Sequence, residues 1–296
     1  MVTAEQRRAY RQLHVCVLLW GFTAILGKLI TLPADALVVW RMVLVAVILA
    51  MIPRSWTGLL AMSPRRACIY AGIGCVIAAH WLAFYGSIKV ANASVAVACL
   101  GLGSIFAAVI EPIVFNRRHE RSEVLSGILV VPGVMLIVGG VPIEMRLGIA
   151  MGIVAALLSA LFAILNKRYA SSDDAFAVTG VEMAAGALLL SVPTAMRGIS
   201  IPGVRDGVLL LVLAVVCTLL PFVLWLRSLL HVSAFHTQLL LNLEPIYAIL
   251  LAAVFFYEYN ELTGWFYLGA SLVVLTVLLQ PWLRRWQGEN EGRQRR

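Results

Sequence analysis

Ten long apolar stretches run along this chain, and short polar turns separate them. The stretches cover residues 13–31, 36–53, 67–88, 93–115, 122–141, 147–168, 174–193, 206–228, 233–257 and 261–283. A helix needs about 20 mostly apolar residues to cross a bilayer, so each stretch predicts a transmembrane helix. The connecting segments are too short to form a separate soluble domain. The pattern therefore predicts an all-α membrane protein with ten transmembrane helices.

The composition and the charge distribution agree with a membrane protein. Hydrophobic residues make up 61% of the chain and charged residues 13%, whereas soluble domains carry roughly 25% charged residues. With the N-terminus inside, 17 of the 23 Lys and Arg residues lie in cytoplasmic segments, five lie outside, and Arg41 lies within the second stretch. Because cytoplasmic loops are rich in Lys and Arg, we expect both termini to be cytoplasmic. Nucleic-acid binding is a poor interpretation of the basic charge.

The two halves of the chain match each other at an offset of about 140 residues. Residues 24–28 match 163–167, residues 105–107 match 246–248, and Pro53 matches Pro193. Since each half holds five stretches, the second half must enter the membrane from the opposite side, which predicts an inverted repeat with a substrate site near the midplane. We expect a cytoplasmic segment 1–12, five-helix repeats 13–141 and 147–283, and a basic cytoplasmic tail 284–296.

The strongest single candidate for a functional residue is Glu244, which precedes Pro245 near the middle of the ninth stretch. A carboxylate in this place must face protein or water rather than lipid. Glu244 either lines a cavity, where it accepts a substrate ammonium or carries a proton, or it is a hydrogen-bonded carboxyl that braces the helix beside Pro245. The sequence leaves both roles open.

Other candidates for the walls of a substrate cavity are polar or aromatic residues within the apolar stretches. The aromatic candidates are Trp20, Trp81, Tyr85, Phe106, Trp225 and Tyr247, and the polar ones are His80, Asn166, Gln238 and Asn242. The aromatic rings suit an apolar or aromatic substrate, but packing and contact with lipid are the ordinary roles of such rings. The polar groups bind a substrate or bridge helices. Arg41 and Glu182 lie at similar places in their halves, and we expect a structural role for them, as a pair or at the membrane interface.

Several functions find no support in the sequence. It has no Gly-rich phosphate loop, no His-Glu-x-x-His motif and no nucleophile elbow, and no cluster of acids, His or Ser marks a membrane enzyme. The five cysteines have no spacing typical of zinc sites or of a disulfide framework. We therefore expect no enzymatic activity, no metal and no cofactor. Because one chain contains both repeats, a monomer in the lipid bilayer is the expected state.

Four short motifs carry a resemblance to a known family. They are Trp20-Gly21, Trp40-Arg41, residues 91–94 and residues 242–245. With the ten stretches in two halves, they resemble the EamA family of the drug/metabolite transporter superfamily over about residues 13–283. The resemblance is nearest to the YddG-like exporters of aromatic amino acids. It implies a bacterial inner-membrane exporter whose helices surround a central cavity. Glu111, which also precedes a proline, falls about six residues past the place equivalent to Glu244, so the two acids are not a symmetric pair.

The repeat, the polar residues at the midplane and this resemblance together predict an exporter that works by alternating access. We expect the substrates to be amino acids, aromatic ones included. The alternative is a multidrug or other metabolite exporter, in which the same rings hold flat cations and Glu244 supplies the counter-charge.

Overall fold

The structure is a computed structural model, and it describes residues 3–117, 132–133, 135–169, 173–198, 200–232, 237, 240–241, 243–256, 262–276 and 278–279. These residues form helices and turns, with no strand among them. The helices are α1 (Ala4–Gly21), α2 (Thr23–Leu29), α3 (Ala34–Ala50), α4 (Pro53–Ala61), α5 (Pro64–Val90), α6 (Ala93–Leu100), α7 (Gly103–Val114), α8 (Arg146–Tyr169), α9 (Ala175–Met196), α10 (Val204–Ala214), α11 (Leu220–Leu229), α12 (Glu244–Phe256) and α13 (Gly264–Thr276). A π-helical turn, Val215–Leu219, joins α10 to α11.

Within the described ranges, six helical segments are long and apolar enough to cross a membrane. They are Ala4–Leu29, Pro64–Val90, Ala93–Val114, Ile143–Tyr169, Ala175–Met196 and Val204–Leu229. The pair α3 and α4, bent by 88°, makes a seventh if it is counted as one span. Most of the predicted fifth stretch lies outside the described residues, and the shorter helices α12 and α13 cover parts of the ninth and tenth. The predicted membrane-protein class is supported, but the count of ten is not confirmed.

The second predicted helix ends earlier than expected. α3 stops at Ala50, and Pro53 begins α4 instead of ending the same helix. Proline is well suited to the first turn of a helix, where its missing N–H leaves no hydrogen bond unmade. Pro193, its partner in the repeat, lies inside α9 three residues before the helix ends. The two matched prolines therefore have different structural roles.

Breaks within three of the long segments help to shape the middle of the molecule. α1 passes into α2 at Phe22, α6 into α7 at residues 101–102, and α10 into α11 through the π-helical turn. A π turn widens the helix by one residue, and such turns are common at functional sites. In this protein the turn faces the side chain of Arg41, which is only 1% exposed and so makes no contact with lipid.

The helices of the two halves pack together closely, and the closest approach is made through glycine. A Cβ atom on Gly74 of α5 would lie 2.2 Å from the carbonyl oxygen of Glu182 on α9. The absent side chain thus lets these two backbones touch. The outward surface of α9 carries exposed apolar side chains, such as Leu188 and Val192. An apolar exterior around a packed interior is what contact with lipid requires.

Candidate functional site

A cavity of about 70 Å³ lies between helices of the two halves. It is lined by Trp20, Thr23, Arg41, Ile77, His80, Trp81, Phe84, Leu100, Ser159, Phe162, Ala163, Phe222, Trp225, Leu241 and Glu244. We call it the central cavity. Sites for small molecules usually have volumes of about 300 to 1,000 Å³. The central cavity is smaller than this range.

Arg41 makes several polar contacts beside the central cavity. Its Nε donates a hydrogen bond of 2.6 Å to Oγ1 of Thr218, and its Nη1 donates one of 2.7 Å to the Tyr85 hydroxyl. Nη2 donates to the carbonyl oxygen of Cys217 at 3.3 Å. The guanidinium carbon also lies 3.7 Å from the centre of the Trp81 ring, a cation–π arrangement. These contacts hold the guanidinium in a fixed plane beside the cavity.

The sequence around the π-helical turn explains why two hydrogen-bond acceptors are available to Arg41. Pro221 has no N–H, so it cannot donate to the Cys217 carbonyl four residues earlier in the way a helical residue does. That carbonyl accepts from Arg41. Oγ1 of Thr218 donates to the carbonyl oxygen of Leu213 at 2.7 Å, which leaves its lone pairs directed to the guanidinium. One proline and one threonine thus make a site for a buried cation.

Glu244 lines the same cavity from the start of α12, so the cavity carries one acidic and one basic side chain. Within the described residues no direct ion pair joins Glu244 to Arg41. Arginine has five N–H groups, and three of those on Arg41 are used by the protein. The two that remain can bind an anionic group. A ligand with a carboxylate at one end and an ammonium at the other matches this arrangement.

The apolar walls of the cavity are mainly aromatic. Phe162 and Trp225 stack with ring centres 5.1 Å apart and planes within 9° of each other. Phe222 meets Trp81 at 5.4 Å and Trp20 at 6.0 Å. These rings come from four helices of both halves. Together they form a continuous aromatic wall that suits a flat apolar group.

His80 lies beside the central cavity and also bridges two helices. It lines the central cavity and stacks on Phe84, with ring planes 11° apart. Its Nδ1 lies 2.7 Å from the carbonyl oxygen of Ala155. Because a carbonyl can only accept, Nδ1 must carry the hydrogen. The ring is therefore anchored to α8 by one nitrogen.

The structure gathers some of the predicted cavity residues and separates others. Those that line the central cavity are Trp20, His80, Trp81, Trp225 and Glu244. Tyr85 is fully buried and reaches the site through its hydrogen bond to Arg41. Phe106 packs instead between two apolar clusters, and Tyr247 is 43% exposed on the outer surface. Asn166 lines a different cavity. Gln238 and Asn242 lie outside the described residues.

The expected pairing of Arg41 with Glu182, or their placement at the membrane interface, needs correction. Their exposed fractions are 1% and 0%, so neither side chain reaches the membrane surface. Arg41 contacts Thr218 and Tyr85, and Glu182 lies beside Asn166, so they do not pair with each other. Sequence reasoning also missed Phe162 and Phe222 as wall residues. The sequence signal for Arg41 was its position inside an apolar stretch, where an ionisable residue is expected to be functional.

A second cavity, of about 170 Å³, lies towards one end of the helices. Its lining includes Tyr70, Asn166, Asp173 and Asp174. Two ion pairs of 2.7 Å, Arg54 to Asp174 and Arg66 to Asp173, close this end together with the Tyr70 hydroxyl, which donates to the Tyr169 carbonyl. We call this group the Asp173 cluster.

The ends of α2 and α5 are joined by another polar group. Asp206 at the start of α10 accepts hydrogen bonds from the backbone N–H of Thr31, at 3.1 Å, and from its hydroxyl, at 2.6 Å. Lys89 donates to the Ile30 carbonyl, just as Lys167 donates to the Leu229 carbonyl in the other half. We call the residues Thr31, Lys89 and Asp206 the Asp206 cluster. Each half thus contains a lysine whose side chain donates to a carbonyl oxygen at the C-terminal end of a neighbouring helix.

Comparisons with known proteins agree with these features. The sequence profile described as the EamA-like transporter family matches residues 12–139 and 146–280. One copy falls in each half, which confirms a two-repeat organisation. A solved structure described only as "Crystal structure of protein" superposes with a TM-score of 0.67, covering 94% of this chain and 98% of its own. At 16% identity, it shows that the fold is shared. No curated protein sequence matches the chain.

Proposed function

Because the chain belongs to the EamA-like transporter family, we propose that it exports amino acids, aromatic ones included, across the bacterial inner membrane. It works as a monomer with both termini in the cytoplasm, and it moves its substrate by alternating access. The family shows a multi-pass membrane transporter, and the choice of substrate rests on the central cavity.

The single observation that carries this proposal is the presence of Arg41 and Glu244 in one aromatic cavity. The substrate carboxylate binds the two N–H groups of Arg41 that the protein leaves unused, and the ammonium binds Glu244. Hydrogen bonds to charged groups contribute about 1.5 to 3 kcal/mol each. The substrate side chain packs against Phe162, Phe222 and Trp225.

The small volume of the cavity supports alternating access. A cavity of about 70 Å³ cannot hold an aromatic amino acid, so the two halves must separate on one side to admit it. The Asp206 cluster and the Asp173 cluster lie towards opposite predicted faces of the membrane. In the proposed cycle, each cluster opens in turn while the other stays closed.

Export of drugs or of other cationic metabolites is the second candidate. The aromatic wall and Glu244 suit a flat cation, but the guanidinium of Arg41 would repel a cation in the same cavity. The balance of charges therefore favours a zwitterion over a cation. Protection of growing cells against toxic cations is the observation that would favour this second candidate.

The test is uptake by the purified protein in liposomes. Labelled phenylalanine, tryptophan, leucine and alanine are supplied with an excess of unlabelled competitors. The proposal expects saturable uptake that several amino acids inhibit, with the aromatic ones competing most strongly. If folded protein takes up none of these amino acids, and if the protein protects growing cells against toxic cations, the results contradict amino-acid export and favour drug export.

A further inference from the structure

Glu182 is a second carboxyl group, buried away from the central cavity. It lies within α9 with none of its surface exposed, and its carboxyl oxygens make no well-formed hydrogen bond among the described residues, where the side chain of Asn166 is the group that interacts with them. The amide of Asn166 lies beside it, and the carbonyl oxygen of that amide is also buried without a partner in the described part of the chain. Leaving a buried polar group unpaired costs about 1 to 3 kcal/mol, and more when the group is charged. A proton shared between the Glu182 carboxyl and the Asn166 carbonyl oxygen would give each of these buried groups a hydrogen bond.

The position of this pair relates it to both cavities. Asn166 itself lines the second cavity, and Phe162, one helical turn earlier on α8, lines the central cavity. On α9, Val178 lines the second cavity one turn before Glu182. One turn of helix is about 5.4 Å. Glu182 and Asn166 therefore stand in the thin layer that separates the two cavities.

The backbone around Glu182 is fixed by close packing. A Cβ atom on Gly74 would lie 2.2 Å from the Glu182 carbonyl oxygen, and one on Gly186 would lie 2.1 Å from Met42. These contacts hold α9 against α5 and α3. A movement that separates the halves at this layer must change the surroundings of the Glu182 carboxyl directly.

Among the described residues, no charged group on the neighbouring helices pairs with Glu182. The titratable side chains on the elements around α9 include, each followed by its own contact, Arg41 on α3 (Thr218 and Tyr85), Arg54 on α4 (Asp174), Arg66 (Asp173), Tyr70 (Tyr169) and His80 (Ala155) on α5, Lys167 on α8 (Leu229) and Arg227 on α11 (Phe176). Cys75, beside Gly74 on α5, is a half-buried free thiol. The neighbour that does lie beside the carboxyl, Asn166, is uncharged.

We propose that Glu182 carries a proton in each transport cycle, so that inward proton movement drives amino-acid export. In the closed layer the carboxyl is protonated, and its O–H donates to the Asn166 carbonyl oxygen. When the second cavity opens towards the cytoplasm, water reaches the group, the proton passes to water and a carboxylate remains. The carboxylate takes up a proton again when the central cavity opens outward. This inference rests on the proposed transport function. Glu244, by contrast, has Arg41 as an opposite charge in its own cavity.

The test measures proton and substrate movement in the same liposomes. The vesicles contain a pH-sensitive dye and the full chain, and a gradient of phenylalanine is imposed across the membrane. Exchange of labelled for unlabelled phenylalanine at equal concentrations, without any gradient, is measured separately. Glu182→Gln imitates the protonated group, which in this cycle is the form that crosses the membrane without substrate, so we expect it to lose substrate-driven proton flux down to the level of empty vesicles and to slow exchange. Glu144→Gln removes an exposed carboxylate and should change neither rate.

The outcomes distinguish a failure of the proton-carrying role of Glu182 from a failure of the proposed transport function. Substrate-driven proton flux that persists in Glu182→Gln, or wild-type protein that exchanges phenylalanine but moves no protons with it, overturns the role of Glu182. Loss of proton flux in Glu244→Gln but not in Glu182→Gln assigns the proton to Glu244 instead. Wild-type protein without any exchange contradicts the proposed function. If Glu182→Gln fails to fold, Glu182→Asp replaces it, because aspartate keeps a titratable group. We expect Glu182→Asp to retain proton flux with an altered dependence on pH. An unaltered dependence on pH overturns the inference.

Discussion

At the scale of single residues, the guanidinium of Arg41 connects parts of the chain that are far apart in sequence. Its hydrogen-bond partners Cys217 and Thr218 lie 176 and 177 residues away, and Tyr85 lies on a third helix. A buried cation is stable only when its donors are satisfied in this way. The same hydrogen bonds fix the position of the guanidinium beside the cavity.

Thr218→Val tests this connection. Valine has the shape of threonine but leaves Nε of Arg41 without its acceptor, so we expect a loss of about 1 to 3 kcal/mol in the free energy of unfolding and weaker substrate binding. Thr179 is a matched control, because it is equally buried and its hydroxyl bonds only to its own helix, at Ala175. Thermal unfolding in detergent and the KM for uptake measure both effects. Equal changes in Thr218→Val and Thr179→Val would contradict the account.

The sequence predicts some of the residues that line the central cavity, but not the place of Arg41 beside it. Trp20, Trp81, Trp225, His80 and Glu244 meet in one cavity, as expected from polar and aromatic residues in apolar stretches. The role of Arg41 depends on a π-helical turn beside Pro221, and a hydropathy pattern shows only that a helix crosses there. Tyr247 shows the opposite error, because an aromatic residue in a span faces outward as easily as inward. Direction around a helix depends on tertiary packing.

At the scale of helices, breaks and glycines decide how the long segments meet. The π-helical turn presents Thr218 and Cys217 to Arg41, and the bend of 88° after α3 ends that helix before the predicted boundary. Between these irregular places, the contact of α5 with α9 is made through Gly74. Apolar periodicity predicts the helices themselves but contains little information about where their backbones touch.

Gly74→Ala tests the helix contact, and Gly72→Ala on the same helix is its control. A methyl group at position 74 meets the backbone of Glu182, whereas at position 72 it meets nothing within 4 Å. Overpacking of this kind costs about 1 to 3 kcal/mol. We expect a clear fall in melting temperature for Gly74→Ala only, since alanine is also the better helix former at an open position. A Gly74→Ala protein as stable as the wild type would show that α5 and α9 do not touch there.

At the scale of the whole molecule, two polar clusters lie outside the central cavity and share no residue with its lining. The Asp173 cluster and the Asp206 cluster each join the start of one helix to the end of another. In the proposed cycle, each cluster closes one side of the carrier in turn. An inverted repeat is expected to place equivalent contacts on both faces of the membrane, one from each half of the chain.

Asp206→Asn tests whether the Asp206 cluster acts as a closure. The amide keeps the shape but weakens the hydrogen bonds to Thr31, because bonds to an ionised acceptor are about twice as strong as neutral ones. We expect Leu32→Cys, a buried position beside Thr31, to react faster with a water-soluble maleimide when Asp206→Asn is present, in a Cys68→Ser background that removes the exposed native thiol. Asp35→Asn, which loses only a contact to exposed Arg197, should leave the labelling rate unchanged. Equal labelling rates in all variants would exclude a closure at this end.

The most direct test of the central claim compares three competitors of phenylalanine uptake. They are phenylalanine itself, phenethylamine, which lacks the carboxylate, and 3-phenylpropionate, which lacks the ammonium. The account predicts that wild-type protein prefers the zwitterion to both by about tenfold or more, equivalent to about 1.4 kcal/mol. Arg41→Met should lose the preference over the amine, while Arg197→Met, a change at an exposed arginine, should keep it. Wild-type protein that binds phenethylamine as well as phenylalanine would contradict the assignment of Arg41 to the substrate carboxylate.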